Sequence, residues 1–247
     1  MTAFPGATAL SRLRVYDWPT IDGLAGGSPH LHTASTEAYV VLGGRGHVQT
    51  LSGDGYAEHP LGEGAVVWFT PGTVHRLVNG GDLDILVLMS NAGLPEAGDA
   101  VLTFPPDVLA DAQSYARLAT LPGSADVAGP PGSADEATPA TAARRRRDLA
   151  IEGYLRLRER VLDEGPGALT DLYAAATNLV AARAPQWRDR WRHGALAQAE
   201  LTGIHLDALA QGRPEHLAAS AVRRAASPAP PPGFGMCGRL TTWDLAR

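Results

Sequence analysis

Residues 29–44 of the chain read PHLHTASTEAYVVLGG. His30 and His32 stand two positions apart, and Glu37 follows five positions later. Because side chains alternate between the two faces of a β-strand, an H-x-H pair on a strand points both imidazoles to one side. Two imidazoles and a carboxylate on one wall are typical metal ligands. We expect His75, in the segment TPGTVHRLVN, to complete the set.

The segments around this stretch predict a mainly β structure up to Phe104. Short runs rich in β-branched and aromatic residues recur about every eight to twelve residues between Gly-rich turns, which indicates an antiparallel sandwich or small barrel. The predicted strands are Arg12–Asp17, His30–His32, Glu37–Leu42, Gly46–Leu51, Ala65–Phe69 (buried), His75–Val78 and Leu83–Met89. Glycines at Gly43–Gly46 and Asn79–Asp82 are expected to form a turn and a hairpin.

The composition changes after Phe104 and predicts a second, helical part. Residues 105–121 indicate a connecting helix that begins at proline. Residues 122–141 consist mainly of Pro, Gly, Ser, Ala and Asp, which predicts a flexible linker. Amphipathic patterns indicate helices within 142–226. We therefore expect a barrel domain at 1–104, these three segments, and a proline-rich connector and tail at 227–247 that packs on the barrel or on a second subunit.

The charge and composition exclude several classes of function. The net charge of −5 is mild, so we expect neither nucleic acid nor a membrane as a partner. All 21 basic residues are arginine, which excludes Schiff-base chemistry on a lysine of this chain. The single cysteine, Cys237, can form no disulfide within the chain, and the N-terminus lacks the pattern of a signal peptide. We therefore expect a cytoplasmic protein.

Together, the two histidine segments resemble the paired motifs of the cupin superfamily. The first motif places Glu37 four residues after the H-x-H pair and Gly44 six residues after Glu37, with the leading glycine displaced by one place to Gly23. The second motif is matched by Gly64, Gly72, His75 and Asn79, whereas Thr70 stands where the family has proline and Pro71 lies one place later. The resemblance covers residues 12–104 and leaves out the helical remainder.

The resemblance implies a cupin-type antiparallel β-barrel, or jelly roll, followed by a C-terminal helical region, as in a small single-domain bacterial cupin with a helical extension. It implies one divalent transition metal per chain, Fe, Mn, Ni or Zn, at His30, His32, Glu37 and His75. Three histidines and one carboxylate leave two positions open on an octahedral ion. Because cupins commonly form dimers through their sheets, it also implies a homodimer.

The favoured function is a metal-dependent enzyme that acts on a small-molecule substrate inside the barrel. Dioxygenase and isomerase chemistry both stay open, although the lack of a phosphate-binding lysine weakens a sugar-phosphate isomerase, in which arginine would have to substitute. Glu37, as a ligand that shifts or protonates, and Tyr39, on the same inward face, are the candidate catalytic residues; Tyr39 either binds substrate or packs. The alternative is a non-catalytic ligand-binding or regulatory cupin.

Several other residues carry weaker signals. Candidates for the barrel lining, with core or surface as the default, are Gln49, Trp68, Arg76, Met89 and Asn91. The run Arg144–Arg147 is interpreted as a solvated helix start. His193, His205 and His216 have no ligand spacing and are interpreted as structural. Cys237 has no histidine or base nearby in the sequence and is interpreted as inert.

Overall fold

A computed structural model describes residues 4–121, 138–228 and 231–245. In these ranges nine strands form one antiparallel sheet in the order β4-β3-β6-β1-β9-β8, with β5 paired to β3 and β2 placed between β6 and β7. The strands are β1 Ala9–Val15, β2 His30–His32, β3 Glu37–Ser52, β4 Gly55–Gly62, β5 Val66–Phe69, β6 Val74–Met89, β7 Ala100–Leu102, β8 Gly233–Phe234 and β9 Gly238–Thr242. The predicted antiparallel β architecture followed by a helical region is confirmed.

The two longest strands, β3 and β6, were each expected to be two strands separated by a turn. They are instead continuous and pair with each other from Glu37 to Leu51, with register shifts between Val41 and Gly46. The two glycine-rich segments lie opposite each other. A Cβ atom on Gly44, whose φ is 75°, would lie 2.1 Å from the carbonyl oxygen of Asp82. The glycines therefore form paired bulges that bend both strands, because a bulge absorbs extra residues without ending the ladder.

The expectation that Ala65–Phe69 is a buried strand was wrong. Among the described strands β5 pairs only with β3, and one of its faces alone reaches the core, where Phe69 is buried and Val67 packs against the core cluster. Val66 is 55% exposed and Trp68 is 69% exposed, whereas Phe69 is buried. The apolar run thus places Phe69 inside and leaves Val66 and Trp68 on the outer face.

The helices are α1 Pro106–Leu109, α2 Ala112–Ala119, α3 Pro139–Glu164, α4 Thr170–Val180, α5 Ala184–Trp191, α6 Ala197–Ala210 and α7 Glu215–Ala218, with a π turn at Arg192–Leu196. The single predicted connecting helix is split in two because Asp111 caps α2 by accepting from the backbone N–H groups of Gln113 and Ser114. None of the described helices is both long and apolar enough to cross a membrane.

The predicted linker 122–141 falls largely on residues 122–137, which lie outside the described residues. Its last four positions belong to α3 and to Thr138, whose side chain caps that helix by accepting from the N–H group of Thr141. α3 therefore begins at Pro139, before the arginine run at which the sequence pattern placed its start.

α3 packs against the barrel, and the interpretation of Arg144–Arg147 as solvated was wrong for Arg147, whereas Arg144 and Arg145 are exposed as expected. Arg147 is 2% exposed and donates hydrogen bonds to the carbonyl oxygens of Trp18 and Pro19 at 2.6 and 3.0 Å. Further along the helix, the Thr103 hydroxyl donates to the Ala150 carbonyl at 2.9 Å. The Arg147 bonds give two loop carbonyl groups a partner, and the Thr103 bond ties the barrel to the backbone of α3.

The C-terminal tail returns to the barrel of its own chain. β9 pairs with β1 over Ser11–Val15, with Leu240 opposite Leu13. β8 extends the sheet by pairing with β9. This pairing resolves the alternative that the sequence left open for the tail, and it brings Met236 and Cys237 next to the loop before β2.

Candidate metal centre

Four predicted ligands meet on three neighbouring strands. His30 and His32 lie on β2, Glu37 begins β3, and His75 lies near the start of β6 directly opposite His30. All four are buried, and one ligand atom from each lies within 4.8 Å of the corresponding atoms of the others. The structure thus brings together the set that the sequence spacing indicated.

Two of the imidazoles are oriented by backbone carbonyl groups. Nδ1 of His30 lies 2.9 Å from the Ser28 oxygen, and Nδ1 of His75 lies 3.1 Å from the Thr73 oxygen. A carbonyl oxygen only accepts, so each Nδ1 donates and each Nε2 is left to face the cluster. These two Nε2 atoms lie 3.1 Å apart, a separation at which both can bind one cation.

The third imidazole lies between two carboxylates. Nε2 of His32 is 3.3 Å from Oε2 of Glu37, and Nδ1 of His32 is 3.4 Å from Oδ2 of Asp99. Asp99 is fully buried and precedes β7, the strand that pairs with β2. Nothing in the sequence singled out Asp99, because its place beside His32 arises only from this strand pairing.

Burial and charge shift the pKa values of the cluster in different directions. Burial, together with neighbouring His75 and His32, lowers the pKa of His30 well below its ordinary value. Burial also opposes protonation of His32, but its close contacts with the carboxylates of Asp99 and Glu37 outweigh it and raise its pKa to about 9. Burial opposes ionisation of Glu37 as well, but His75 and His32 outweigh it and hold its pKa well below the usual range. Glu37 is therefore an anion among imidazoles, which favours a cation at the centre.

The donor set fits a divalent transition ion. Two ligand atoms about 2.1 Å from an ion and at right angles to each other lie about 3.0 Å apart. The separation of 2.9 Å between His75 Nε2 and Glu37 Oε2, and those of 3.1 and 3.3 Å given above, are close to this value. Nε2 of His32 and Oε2 of Glu37 are buried without a hydrogen-bond partner among the described residues. Three imidazoles and a carboxylate suit Fe, Mn, Ni or Zn.

Comparison with known proteins agrees with this geometry. Residues 20–90 match the family model described as Cupin domain. This segment of the chain is therefore a cupin domain. No curated protein matches the sequence.

Solved structures with a similar fold share little sequence with this chain. Pac13 from Streptomyces, described as a unique nucleoside dehydratase, is 16% identical with a TM-score of 0.31, and the match covers 40% of this chain and 69% of that one. A double-stranded β-helix protein from Klebsiella pneumoniae is 15% identical with a TM-score of 0.28 over 36% and 71%. The TDP-fucose-3,4-ketoisomerase WlaRA from Campylobacter jejuni is 13% identical with a TM-score of 0.30 over 36% and 64%.

The cluster forms part of the wall of a cavity of about 770 Å³, which residues of the barrel, the helical region and the C-terminal tail line together. His30, His32 and Glu37 line it beside Tyr39. Burial and the charge of Glu37 raise the pKa of the Tyr39 hydroxyl well above its ordinary value, so this hydroxyl stays protonated at neutral pH. Both candidate catalytic residues, Glu37 and Tyr39, therefore face the space that a substrate would occupy.

Of the five weaker lining candidates, Met89 alone lines this cavity. Trp68 is on the outer face. Gln49 and Arg76 are buried in a separate polar network in which Arg76 donates to Gln49 and to Asp22. Asn91 donates to the Ala34 carbonyl oxygen instead of facing the cavity.

Cys237 has no histidine near it in the sequence, but the fold places one beside it. Its buried Sγ atom lies 3.8 Å from Nδ1 of His30 and 3.5 Å from the Ser28 carbonyl oxygen, and the residue lines the cavity. Burial raises the pKa of this thiol, so it is held in the neutral form. Two of the other histidines stack with ring centroids 4.5 Å apart, His205 and His216, whereas His193 lies exposed at the edge of the cavity.

Proposed function

We propose that this cupin is a metal-dependent enzyme that acts on a small molecule beside a single divalent transition ion. His30, His32, Glu37 and His75 would hold the ion. The observation that carries the proposal is the convergence of three Nε2 atoms and one carboxylate at the wall of an open cavity. Buried polar atoms in proteins usually have hydrogen-bond partners. A bound ion would account for the ligand atoms that lack such partners at the edge of this cavity, whereas a purely structural role would not.

The chemistry divides between the ion and the protein. When bound, the ion supplies Lewis acidity for a substrate oxygen and, for a redox metal, a place for dioxygen. Glu37 supplies negative charge that lowers the net charge of the centre. Tyr39, protonated and buried beside Glu37, donates a hydrogen bond to a substrate atom or to that carboxylate. The buried walls exclude water from the reacting groups.

Between the two reaction classes, the cavity favours a dioxygenase over an isomerase. Its walls are mostly apolar, and among the described residues that line it Arg190 is the single arginine. A phosphorylated sugar requires several cationic or hydroxyl partners. A non-catalytic ligand-binding cupin is the second candidate, because a buried cluster and an apolar cavity also suit a receptor.

Metal analysis tests the site. Protein purified without chelators, or reconstituted with Fe, Mn, Ni or Zn, is expected to contain near one ion per chain. His75→Ala should lose most of it, and His193→Ala, which changes a histidine at the cavity edge, should retain it. Absence of metal after reconstitution, or equal retention by His75→Ala, would contradict the site. Consumption of dioxygen or conversion of a bound compound separates the enzyme from the receptor.

The remaining expectations stay proposals. We propose a homodimer formed through the sheets, as the resemblance implies, with the exposed apolar side chains of β5 as the contact.

We also propose that the chain is divided into barrel, linker, helical region and tail. The tail contributes β8 and β9 to the sheet of the barrel. We propose neither a nucleic-acid nor a membrane partner.

A further inference from the structure

The cavity has a continuous wall that begins at the metal cluster and ends on the C-terminal tail. Register places Glu37 opposite Met89 and Met89 opposite Ala9 across β3, β6 and β1. The next cross-strand row runs from Tyr39 through Val87 and Ser11 to Thr242 of β9. Because neighbouring strands lie about 4.8 Å apart, three such steps extend about 14 Å along the sheet.

Most of this wall is apolar, although the hydroxyl groups of Ser11, Tyr39 and Thr242 also belong to it. Leu13, Val87 and Met89 are buried and line the cavity, and Leu240 of β9 lines it opposite Leu13. Apolar surface beside an open cavity is unfavourable in water, and an apolar ligand that covers it gains about 25 cal/mol for each Å². The wall therefore selects a hydrocarbon or aromatic surface over a hydrated one.

The charged groups of the cavity lie at its two ends. Glu37 is at the metal cluster, and the exposed residues Glu96, Arg190 and Asp244 line the solvent side. A phosphate or sugar placed between these ends would lose its water and gain only a few hydroxyl groups from the wall, with no cationic side chain there among the described residues, which is costly. A volume of about 770 Å³ is within the usual range for a drug-sized ligand.

Much of this wall lies outside the part of the chain that matches the cupin model. The match covers residues 20–90, whereas β1 precedes it and β9 lies in the tail. The family match therefore does not determine the ligand, and the tail strand contributes to the cavity from outside the matched residues.

We propose that the cavity takes a small molecule with a hydrocarbon or aromatic body and an oxygen-bearing end, and that Leu240 of the tail selects the body. The body lies along Val87, Leu13 and Leu240, and the oxygen-bearing end faces the His30–Glu37 centre. The orientation of that end rests on the proposed function; the binding of the body does not, because it requires only the wall.

N-phenyl-1-naphthylamine, a neutral fluorescent probe of apolar sites, tests the wall in the intact chain. We expect saturable binding, and Leu240→Asn should weaken it about tenfold because an amide replaces the apolar surface. Thr241→Asn makes a similar change in the same strand at a residue that does not line the cavity, and it should bind as wild type. Unchanged binding by a folded Leu240→Asn protein would overturn the proposal.

A second pair of variants tests the wall even if the Leu240→Asn protein does not fold. Ser11→Trp should block the probe by filling the cavity from the inward row, whereas Arg14→Trp adds the same ring to an exposed position of β1 outside it. The tail pairing can be checked by the thermal melting temperature of each variant. Equal probe binding by both tryptophan variants would overturn the assignment of the wall.

Displacement of the probe tests the chemical class and the orientation. In metal-loaded protein, 4-tert-butylcatechol should displace the probe at least tenfold better than glucose 6-phosphate or uridine 5′-monophosphate. His75→Ala should retain the probe but lose that advantage of the catechol. Stronger displacement by the phosphates would overturn the inference. A wild-type protein that binds the probe yet takes up no metal would overturn the proposed function and the orientation, while leaving the apolar wall supported.

Discussion

Oδ2 of Asp99 lies 3.4 Å from Nδ1 of His32, on the side of the ring opposite the metal cluster. The carboxylate is held in place by the backbone N–H groups of Thr33, Ala34 and Ser35 at 2.7–2.9 Å. It therefore orients the ring and increases the basicity of Nε2, as carboxylates behind metal-binding histidines do.

Asp99→Asn should weaken metal binding about 10- to 100-fold, because the amide neither balances the charge of the ring nor accepts from all of these N–H groups. Competition with a chelator of known affinity measures the change. Thr33→Val removes the hydroxyl that donates to Asp99 at 2.6 Å but leaves His32 untouched, so it serves as the control. An unaltered dissociation constant in Asp99→Asn would show that the contact does not support the ligand.

The contact between α3 and the barrel depends on a glycine. A Cβ atom on Gly153 would lie 2.1 Å from the carbonyl oxygen of Thr103. Gly153→Ala should therefore reduce the free energy of unfolding by about 1–3 kcal/mol through overpacking. A Cβ atom on Gly203, within α6, would meet no other part of the described chain within 4 Å, so Gly203→Ala should be neutral or slightly stabilising. Urea unfolding compares the two variants, and equal stabilities would contradict the close approach.

A buried ion pair predicts a dependence of stability on pH. Asp22 accepts from both terminal nitrogens of fully buried Arg76, at 2.6 and 3.0 Å. Burial opposes ionisation of Asp22, but hydrogen bonds with Arg76 and Thr20 outweigh it and lower its pKa. Because the pKa is lowered in the folded state, the stabilisation is present above the unfolded value of about 3.9 and is lost as the pH falls below it.

Asp22→Asn should cost about 3 kcal/mol at pH 7, since it leaves a buried guanidinium unpaired, and it should flatten the acid side of the stability profile. Chemical unfolding at several pH values gives this profile. Glu152→Gln breaks an exposed ion pair with Arg156 and should change stability by less than about 1 kcal/mol. A variant as acid-sensitive as wild type would assign the pH dependence to other carboxylates.

The proposed homodimer makes a prediction for β5. Val66 and Trp68 lie exposed on the outer face of the sheet, and a second copy would cover them. Trp68→Glu should convert a dimer to a monomer in size-exclusion chromatography with light scattering. Ile21→Glu introduces the same charge at an isolated residue that is 89% exposed and should leave the mass unchanged. A Trp68→Glu protein that stays dimeric would place the interface elsewhere.

The ligand set could be predicted from the sequence because its spacing is local. His30, His32 and Glu37 lie within one short segment, and the H-x-H pair already implies a shared face on a strand. His75 could be predicted as the fourth ligand from the second motif alone. The antiparallel architecture was equally accessible, because alternation and glycine-rich turns repeat along the first part of the chain.

The other features of the site and the fold could not be predicted, because they depend on contacts between residues that are far apart in the sequence. Asp99 and Cys237 reach the histidines only through the pairing of β7 with β2 and the return of the tail. Arg147 was interpreted as solvated because nothing in a run of arginines indicates that a distant loop carbonyl accepts a hydrogen bond from one of them. The glycines at Gly43–Gly46 were interpreted as a turn. The sequence of one strand does not show that Asp82 lies opposite Gly44, and therefore it does not show that both strands bulge at this point.

The pairing of β1 with β9 also sets an order of events during synthesis. Leu13 meets Leu240 only after almost all of the intervening chain has left the ribosome, and contacts of such long sequence separation form late in folding. A nascent chain would therefore carry all four metal ligands well before its cavity has a complete wall. Metal uptake can precede the capacity to hold an apolar ligand, and the ribosome-bound intermediate would expose Leu13 to chaperones.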